Sequence, residues 1–254
     1  MRLSSIEAER HYVLEIEAPE RSPKRVSLTD QAYEIIRRRI VLCELEPGHT
    51  FTEAELSDQM AMSKTPIREA LLRLQVERMV QAIPRRGYTV TPIHVSDIND
   101  IFDYRVIIEG ACAELAATQA SEDDVAKLAA LAERSSEEFD SIEGSDIDSV
   151  TEQSLLNNVF HESVAIAARN ARLHRAAVGA IREYDRFFFL EWSAPSVYPE
   201  SHSDHREIAA RIAARDPQGA RRAMISHIEN ARASLLAAVT NATASGAGEL
   251  LRLR

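Results

Sequence analysis

The spacing of the apolar residues changes between residues 28 and 91 from a helical period to strict alternation, and then returns to a helical period. Three segments have apolar residues three and four positions apart, as helices do: residues 28–40, 53–61 and 66–79. Two segments alternate around a Pro-Arg-Arg-Gly turn, as in a β-hairpin: Val80–Ile83 and Tyr88–Thr91. This order of helix, helix, turn, helix and two strands predicts a winged helix-turn-helix domain over residues 26–92.

The remainder of the chain keeps the helical period and has no strand pattern. Its predicted helices cover six segments: residues 96–119, 121–139, 148–169, 171–191, 201–215 and 217–243. Because short connections make successive helices antiparallel, residues 95–243 are expected to form an all-α bundle of about six helices. The predicted fold class is therefore mainly α, a winged helix-turn-helix followed by an antiparallel helical bundle. We expect residues 1–25 to be a flexible N-terminal arm and residues 244–254 a C-terminal tail.

The composition is typical of a soluble globular protein, with 45% hydrophobic and 28% charged residues. No stretch approaches the roughly 18 uncharged apolar residues that a membrane span requires, and the N-terminus lacks the apolar core of a secretion signal. Cys43 and Cys112 are too few for a disulfide framework. These features predict a cytoplasmic protein without a membrane partner.

The net charge of −10 argues against nucleic-acid binding until it is divided along the chain. Residues 21–94 carry twelve Lys and Arg against nine Asp and Glu, whereas residues 95–254 carry sixteen against twenty-six. DNA affinity depends on cations close to the phosphates, so the sign of the local charge matters more than that of the whole chain. The predicted winged domain has a mild basic excess, which alone decides nothing.

The start of the third predicted helix carries side chains that suit a DNA-reading helix. The second helix of a helix-turn-helix enters the major groove with its N-terminal residues toward the bases. The candidates at that position are hydroxyl and cationic residues: Ser63, Lys64, Thr65 and Arg68. Arg85, Arg86 and Gly87 lie at the predicted wing tip, within reach of an adjacent minor groove. The alternative is that the Ser-Lys-Thr-Pro turn is only a helix cap and the Arg-Arg-Gly turn only a solvated hairpin.

Three histidines of the predicted bundle have spacings that bring them together. His205 and His227 lie at equal distances on either side of Asp216, where a helical hairpin is predicted to turn, each about 15 Å from that turn. Asn157 and His161 are four residues apart and share one face of another helix. Three imidazoles and an amide oxygen would suit Zn²⁺, Ni²⁺ or Mn²⁺. The alternative is that they are structural histidines of the helix surface or the core.

Arg105 falls among apolar positions on the first helix of the predicted bundle, which also carries Glu109. A charged side chain on a buried face is unusual unless it is paired. Two interpretations remain open: Arg105 forms a structural ion pair with an acidic neighbour, or it binds the carboxylate of a small effector.

Part of the first domain resembles the GntR family of bacterial regulators. The resemblance is carried by TPIREAL within Met62–Leu71, followed by Arg73-Leu74, and by Arg86-Gly87-Tyr88. It implies DNA contacts at Ser63, Lys64, Thr65, Arg68 and the wing around Arg86 and Gly87. Two residues depart from the family pattern. Lys64 stands where Arg is usual and lacks the planar guanidinium group that can form two parallel hydrogen bonds. Ala54 stands where members often have a DNA-contacting Arg.

Three runs of the second half resemble the FCD ligand-binding domain of one GntR subfamily: Asn157–His161, Ala168–Leu173 and Asp204–His227. Many members bind a divalent metal through an Asp and three His, and the metal receives a small carboxylate effector. Carried over by position, the metal ligands are Asn157, His161, His205 and His227. Asn157 replaces the usual Asp, so metal affinity should fall and an anionic effector is favoured as an additional ligand. The alternative is a site without metal, in which the histidines bind the effector directly. The family has an Arg at the place of Arg105, which fits both interpretations of that residue.

Two functions from different classes follow from these features. The resemblance implies a sequence-specific transcription regulator, commonly a repressor, that binds a palindromic DNA operator as a homodimer and responds to a small carboxylate metabolite. The alternative is a metal-dependent hydrolase that uses the three-histidine site. That alternative lacks a general base, because Glu162 follows His161 directly and points about 100° away around the helix. The residue pattern therefore favours a regulator over an enzyme.

Overall fold

The computed structural model describes residues 27–140, 147–192 and 204–244 of the chain. The predicted arm, the tail beyond Ala244 and the predicted helix break at Gly144-Ser145 lie outside these residues. Within them the fold is mainly α with one small antiparallel sheet, which confirms the predicted fold class. In the described ranges, no helix is long and apolar enough to cross a membrane.

The elements follow the predicted order. Those of the first domain are α1 (Leu28–Val41), β1 (Thr50–Phe51), α2 (Glu53–Met60), α3 (Lys64–Val76), β2 (Val80–Ile83) and β3 (Gly87–Val90). Those described in the second domain are α4 (Val95–Gln119), α5 (Glu122–Asp140), α6 (Ile147–Ala167), α7 (Ala171–Trp192), α8 (Asp204–Ala213) and α9 (Pro217–Ala244).

The helices of the first domain begin where short polar side chains meet free backbone amides. The Ser27 hydroxyl accepts a hydrogen bond from the Asp30 amide at the start of α1. Thr52 and Glu55 form the predicted capping box at the start of α2. Ser63 occupies the N-cap position of α3, but its hydroxyl makes no capping hydrogen bond. The three helices enclose an apolar core that includes Ile36, Leu56, Ile67, Leu71 and Leu74.

The sheet has three strands, so the prediction of two was incomplete. β3 lies in the middle and pairs antiparallel with both β1 and β2. The missed strand β1 consists of Thr50 and Phe51 alone, and two residues are too few to display an alternating pattern. Phe51 is opposite Tyr88 of β3, with 6.2 Å between the stacked ring centroids. The wing is therefore tied to the chain that enters α2.

Helix α4 is the centre of the second domain and packs against α6, α7, α8 and α9. Its buried face is lined by small residues, among them Gly110, Ala113, Ala116 and Ala117. A Cβ added at Gly110 would lie 3.2 Å from the Ile225 side chain, so the missing side chain allows α9 to approach closely. Around this helix the described part of the bundle encloses one apolar core.

The start of α4 differs from the prediction. The sequence placed the cap at Ser96, whereas the helix begins at Val95 with His94 at the N-cap. The cause is Asp97, whose carboxylate accepts a hydrogen bond from the His94 amide at 3.2 Å.

Two helices of the second domain end earlier than predicted, and α3 of the first domain ends at Val76, three residues before the predicted Met79. Helix α6 ends at Ala167 and α8 at Ala213, two residues before the predicted ends in each case. Arg169 and Arg215 follow with φ of 52° and 55°, in the left-handed region that stops a helix. The predicted first residues of α8, 201–203, lie outside the described part of the chain.

Helix α7 joins the two domains. It packs against α4 and α6 within the bundle and against α1 of the first domain. Its Asp185 forms a buried ion pair with Arg37 of α1. The next residue, Arg186, donates a hydrogen bond of 2.6 Å to the Pro92 carbonyl, between β3 and α4. The contact between the domains is therefore largely polar.

Gly87→Ala is expected to lower the free energy of unfolding by roughly 1–3 kcal/mol. Gly87 has a φ of +108°, and an added Cβ would lie 2.3 Å from the Phe51 carbonyl oxygen. Urea denaturation measures the effect. Gly48→Ala is the matched control, because Gly48 also has a positive φ, of +82°, but has open space around a Cβ. Equal losses in the two variants would mean that the close approach of β1 and β3 is not the cause.

Candidate metal centre and nucleic-acid interface

Three histidines from three helices meet in the interior of the bundle. They are His161 of α6, His205 of α8 and His227 of α9. One ring nitrogen of each lies within 4.8 Å of the others. All three are buried, with 1%, 0% and 4% of their surfaces exposed. The structure thus brings together the three residues that the spacing argument selected.

The hairpin of α8 and α9 accounts for two of these positions. Asp216 lies at the turn, where its side chain accepts a hydrogen bond from the Gly219 amide at 2.9 Å and so fixes the start of α9. Because the two helices are antiparallel, residues equidistant from the turn face each other. The rings of His205 and His227 have centroids 4.7 Å apart. His205 also stacks on Phe160 of α6, at 4.1 Å between centroids.

His161 is oriented from behind by a pair of charged residues on α4. Its Nδ1 lies 2.6 Å from Oε2 of Glu109, while Oε1 of Glu109 accepts a hydrogen bond of 2.6 Å from Nε of Arg105. On the other side of the ring, Nε2 of His161 lies 3.1 Å from Nε2 of His227. With its proton on Nδ1, toward the carboxylate, His161 directs the lone pair of Nε2 into the space between the histidines.

The surroundings of His161 favour its neutral form. Burial lowers the pKa of His161 to about 4, although the Glu109 carboxylate acts in the opposite direction. Burial raises the pKa of Glu109, but Arg105 and His161 outweigh it, so the net shift is downward. At neutral pH the carboxylate is charged and His161 is not. Neutral imidazole is the form that coordinates a metal ion.

Two carboxylates beside the histidines were not predicted as their partners. Glu109 contacts His161, and Oδ2 of Asp204 lies 3.7 Å from Nδ1 of His227. Both approach Nδ1, on the far side of the ring from the shared space, so they can orient the rings but do not face a ligand there. The four-residue spacing of Arg105 and Glu109 was the available signal for their ion pair. Nothing in the sequence pattern indicated Asp204.

Asn157, the fourth predicted ligand, lies one turn before His161 on α6 and is 7% exposed. Its amide nitrogen lies 3.5 Å from Oδ1 of Asn158, a weak hydrogen bond. Using the nitrogen in this way leaves its amide oxygen as the atom that a cation would take. Glu162, the residue next to His161 that was rejected as a general base, lies 3.6 Å from His174 and pairs with it.

Arg105 is 2% exposed and is held by its surroundings. Besides its bond to Glu109, its guanidinium lies 4.3 Å from the centroid of the Tyr184 ring on α7. The structural ion pair is therefore present in the fold. A carboxylate effector would have to share the guanidinium with Glu109.

Most of the predicted DNA-reading residues lie on the surface of the first domain. Those at the start of α3 are exposed: Ser63, Lys64, Thr65 and Arg68. At the wing, Arg85 and Arg86 are exposed and Gly87 is half-buried. Arg85 has a φ of 63° in the turn between β2 and β3.

Arg68 has a partner that the sequence did not reveal. Its guanidinium donates to Glu53 of α2 at 2.7 and 3.0 Å, and the hydrogen bond from Arg68 lowers the pKa of that carboxyl. The Arg68 side chain remains 60% exposed. A guanidinium held by one carboxylate at its edge still presents N–H groups outward, in a direction set by Glu53.

Comparison with known proteins identifies both domains. The family model of the FCD domain matches residues 100–230, and that of bacterial regulatory proteins, gntR family, matches residues 28–90. The HTH-type transcriptional repressor RspR of Escherichia coli is 26% identical over 202 residues, which are 80% of this chain and 86% of RspR. An uncharacterized HTH-type transcriptional regulator of Agrobacterium vitis is 35% identical over 82 residues, 32% of this chain and 48% of that protein.

Solved structures share the fold. Escherichia coli McbR has a TM-score of 0.70 at 22% sequence identity, covering 84% of this chain and 99% of that chain. The named relatives are transcription regulators rather than enzymes, in agreement with the interpretation of the sequence.

Arg105→Leu is expected to lower the free energy of unfolding by about 3–5 kcal/mol, because it leaves the Glu109 carboxylate buried without its cation. Urea denaturation followed by circular dichroism measures the loss. The control is the double variant Arg105→Leu with Glu109→Gln, which removes both charges and should recover much of the stability. A single variant as stable as the unsubstituted protein would show that the ion pair has no structural role.

Proposed function

The chain belongs to the GntR family of bacterial transcription regulators and carries an FCD domain, and we propose that a small carboxylate metabolite, bound at a divalent metal in that domain, controls its affinity for DNA. The observation that carries this proposal is the convergence of three buried histidines in a domain joined to a helix-turn-helix. The protein acts as a homodimer on a palindromic operator in the cytoplasm. It is a repressor, as the name of the related RspR states for that protein.

The donor set fits a divalent cation that accepts nitrogen ligands. His161, His205 and His227 supply the ligands, with Asn157 as the fourth by its amide oxygen, and Zn²⁺, Ni²⁺ or Mn²⁺ suits such a set. Glu109 orients His161, as carboxylates behind metal-bound imidazoles do. When bound, the cation supplies positive charge and open coordination positions for an anion.

The chain's own charges favour an anionic effector. Asn157 contributes no negative charge, and Glu109 is already neutralised by Arg105. A cation among neutral imidazoles therefore keeps most of its charge, which attracts a carboxylate. Arg105, paired with Glu109 behind His161, prevents that carboxylate from opposing an anion at the site.

The DNA contacts follow from the exposed N-terminus of α3. Ser63, Lys64 and Thr65 present hydroxyls, an ammonium group and free helix-end amides to phosphates or base edges. Arg68, one turn further, reads a base, and Glu53 directs its guanidinium. Arg85 and Arg86 of the wing, with Gly87 at the turn, reach the adjacent minor groove.

Control follows from linkage between the two domains. An effector that binds one arrangement of the helices more tightly shifts the population toward it, and DNA affinity changes by the coupling free energy. A homodimer doubles the DNA contacts of a small winged domain and matches the symmetry of a palindromic operator.

Arg68→Ala is expected to weaken operator binding by about 1–3 kcal/mol, because it removes the base contact of the reading helix. The operator is first selected from genomic fragments by the unsubstituted protein, and affinity is then measured by fluorescence anisotropy at fixed salt. Arg222→Ala is the control, since Arg222 is an exposed arginine on α9 and carries the same charge. Equal affinities of Arg68→Ala and Arg222→Ala would refute the assigned reading helix.

His205→Ala is expected to abolish stoichiometric zinc, because a buried site that loses one of three imidazoles has too few donors. The protein is incubated with zinc chloride, passed through gel filtration and analysed by mass spectrometry for metal per chain. His174→Ala is the control, because His174 pairs with Glu162 outside the cluster. Zinc retained at one ion per chain in His205→Ala would show that the ligand set is wrong.

A further inference from the structure

We propose that Asp185 of α7 is a positioning residue that fixes α6, the helix of His161, relative to α1 of the DNA-binding domain. A displacement of α6 reaches the DNA-binding domain through this carboxylate. The proposal rests on the proposed function only for the claim that the occupant of the histidine site displaces α6. The positioning role itself belongs to the fold.

The two carboxylate oxygens of Asp185 bind side chains of different domains. Oδ1 accepts a hydrogen bond of 2.6 Å from the amide of Asn158 on α6, and Oδ2 pairs with the guanidinium of Arg37 on α1. All three side chains are buried, with 1%, 8% and 6% of their surfaces exposed for Asp185, Asn158 and Arg37. One carboxylate therefore joins a helix of the FCD domain to a helix of the DNA-binding domain.

On the side of the FCD domain, the partner of Asp185 is Asn158, which lies beside the histidine site. Asn158 follows Asn157 directly and precedes His161 by three residues on the same helix. The side-chain amides of Asn157 and Asn158 are themselves 3.5 Å apart. A displacement of Asn157 or His161 therefore also moves the side-chain amide of Asn158, which donates a hydrogen bond to Asp185.

The other end is fixed to the reading helix. Helix α1 packs along α3 and is joined to it by side-chain hydrogen bonds in its first turn. Thr29 donates to Glu69 at 2.7 Å, and Arg73 donates to Asp30 at 2.8 Å. A shift of Arg37 thus moves α1 and α3 together, and with them the residues that face DNA.

The two contacts of Asp185 resist separation because they are buried. A carboxylate that loses one of its partners in the interior keeps its desolvation penalty without compensation, and no water is at hand to replace the partner. Asp185 therefore resists separation from either neighbour. The adjacent Arg186 donates hydrogen bonds to the Pro92 and Arg78 carbonyls, so it joins the domains through bonds that do not involve Asp185.

The first test uses the metal-free protein. Asn158→Ala should raise the amide hydrogen-exchange rates of Leu28–Val41 by at least about five-fold, because Asp185 loses its hydrogen bond from α6 and then holds Arg37 of α1 less rigidly. Ser163→Ala is the matched control, since its buried hydroxyl on α6 has no hydrogen-bond partner among the described residues. Equal exchange of α1 in the two variants would overturn the proposal, whatever the site binds.

The second test adds zinc chloride alone and measures the fold-change in operator affinity. The unsubstituted protein should change by roughly 5-fold or more, Asp185→Asn should change by less than about 2-fold, and Arg186→Gln should respond like the unsubstituted protein. If Asp185→Asn fails to fold by circular dichroism, Arg37→Lys tests the same contact.

The outcomes separate the two proposals. A zinc response retained in Asp185→Asn, or lost equally in Arg186→Gln, overturns the assignment to Asp185 and leaves metal control standing. No zinc response in the unsubstituted protein, together with faster α1 exchange in Asn158→Ala, overturns metal control and supports the positioning role.

Discussion

The interior of the helical domain depends on the Glu109 carboxylate, which lies between a buried cation and a buried imidazole. One oxygen accepts a hydrogen bond from the Arg105 guanidinium, and the other lies 2.6 Å from Nδ1 of His161. Charged groups are stable away from water only when their partners replace the lost solvation. The three side chains are therefore stable as a set, and the orientation of His161 is fixed before any ligand binds.

Helix α7 contacts both this charged group and the DNA-binding domain. The Arg105 guanidinium lies over Tyr184, and the next residue of that helix is Asp185, which meets Arg37 of the first domain. The helix α7 thus supports the charged centre with one face and contacts the first domain with another. Tyr184, which packs against Arg105, and Asp185, which pairs with Arg37, are therefore consecutive residues of one helix.

Several parts of the fold and site could be predicted because they depend on neighbours in sequence. The capping box of Thr52 and Glu55 follows from local hydrogen bonding. His205 and His227 could be paired because a hairpin converts equal spacing into proximity. Strand β1 was missed because two residues carry no period, and the start of α4 was misplaced because Asp97 caps it from within.

The sequence by itself determined the order of elements, the face on which each candidate residue lies and the family to which the chain is similar. These properties are set by spacing, since a helix repeats every 3.6 residues wherever it is placed. Only the tertiary structure decided that Glu109 stands behind His161, that Glu53 holds Arg68 and that Asp185 joins Asn158 to Arg37. Those pairs connect different helices, and the ones formed by Glu109 and Asp185 are strengthened by burial. Local spacing cannot specify which distant side chains share a site from which water is excluded.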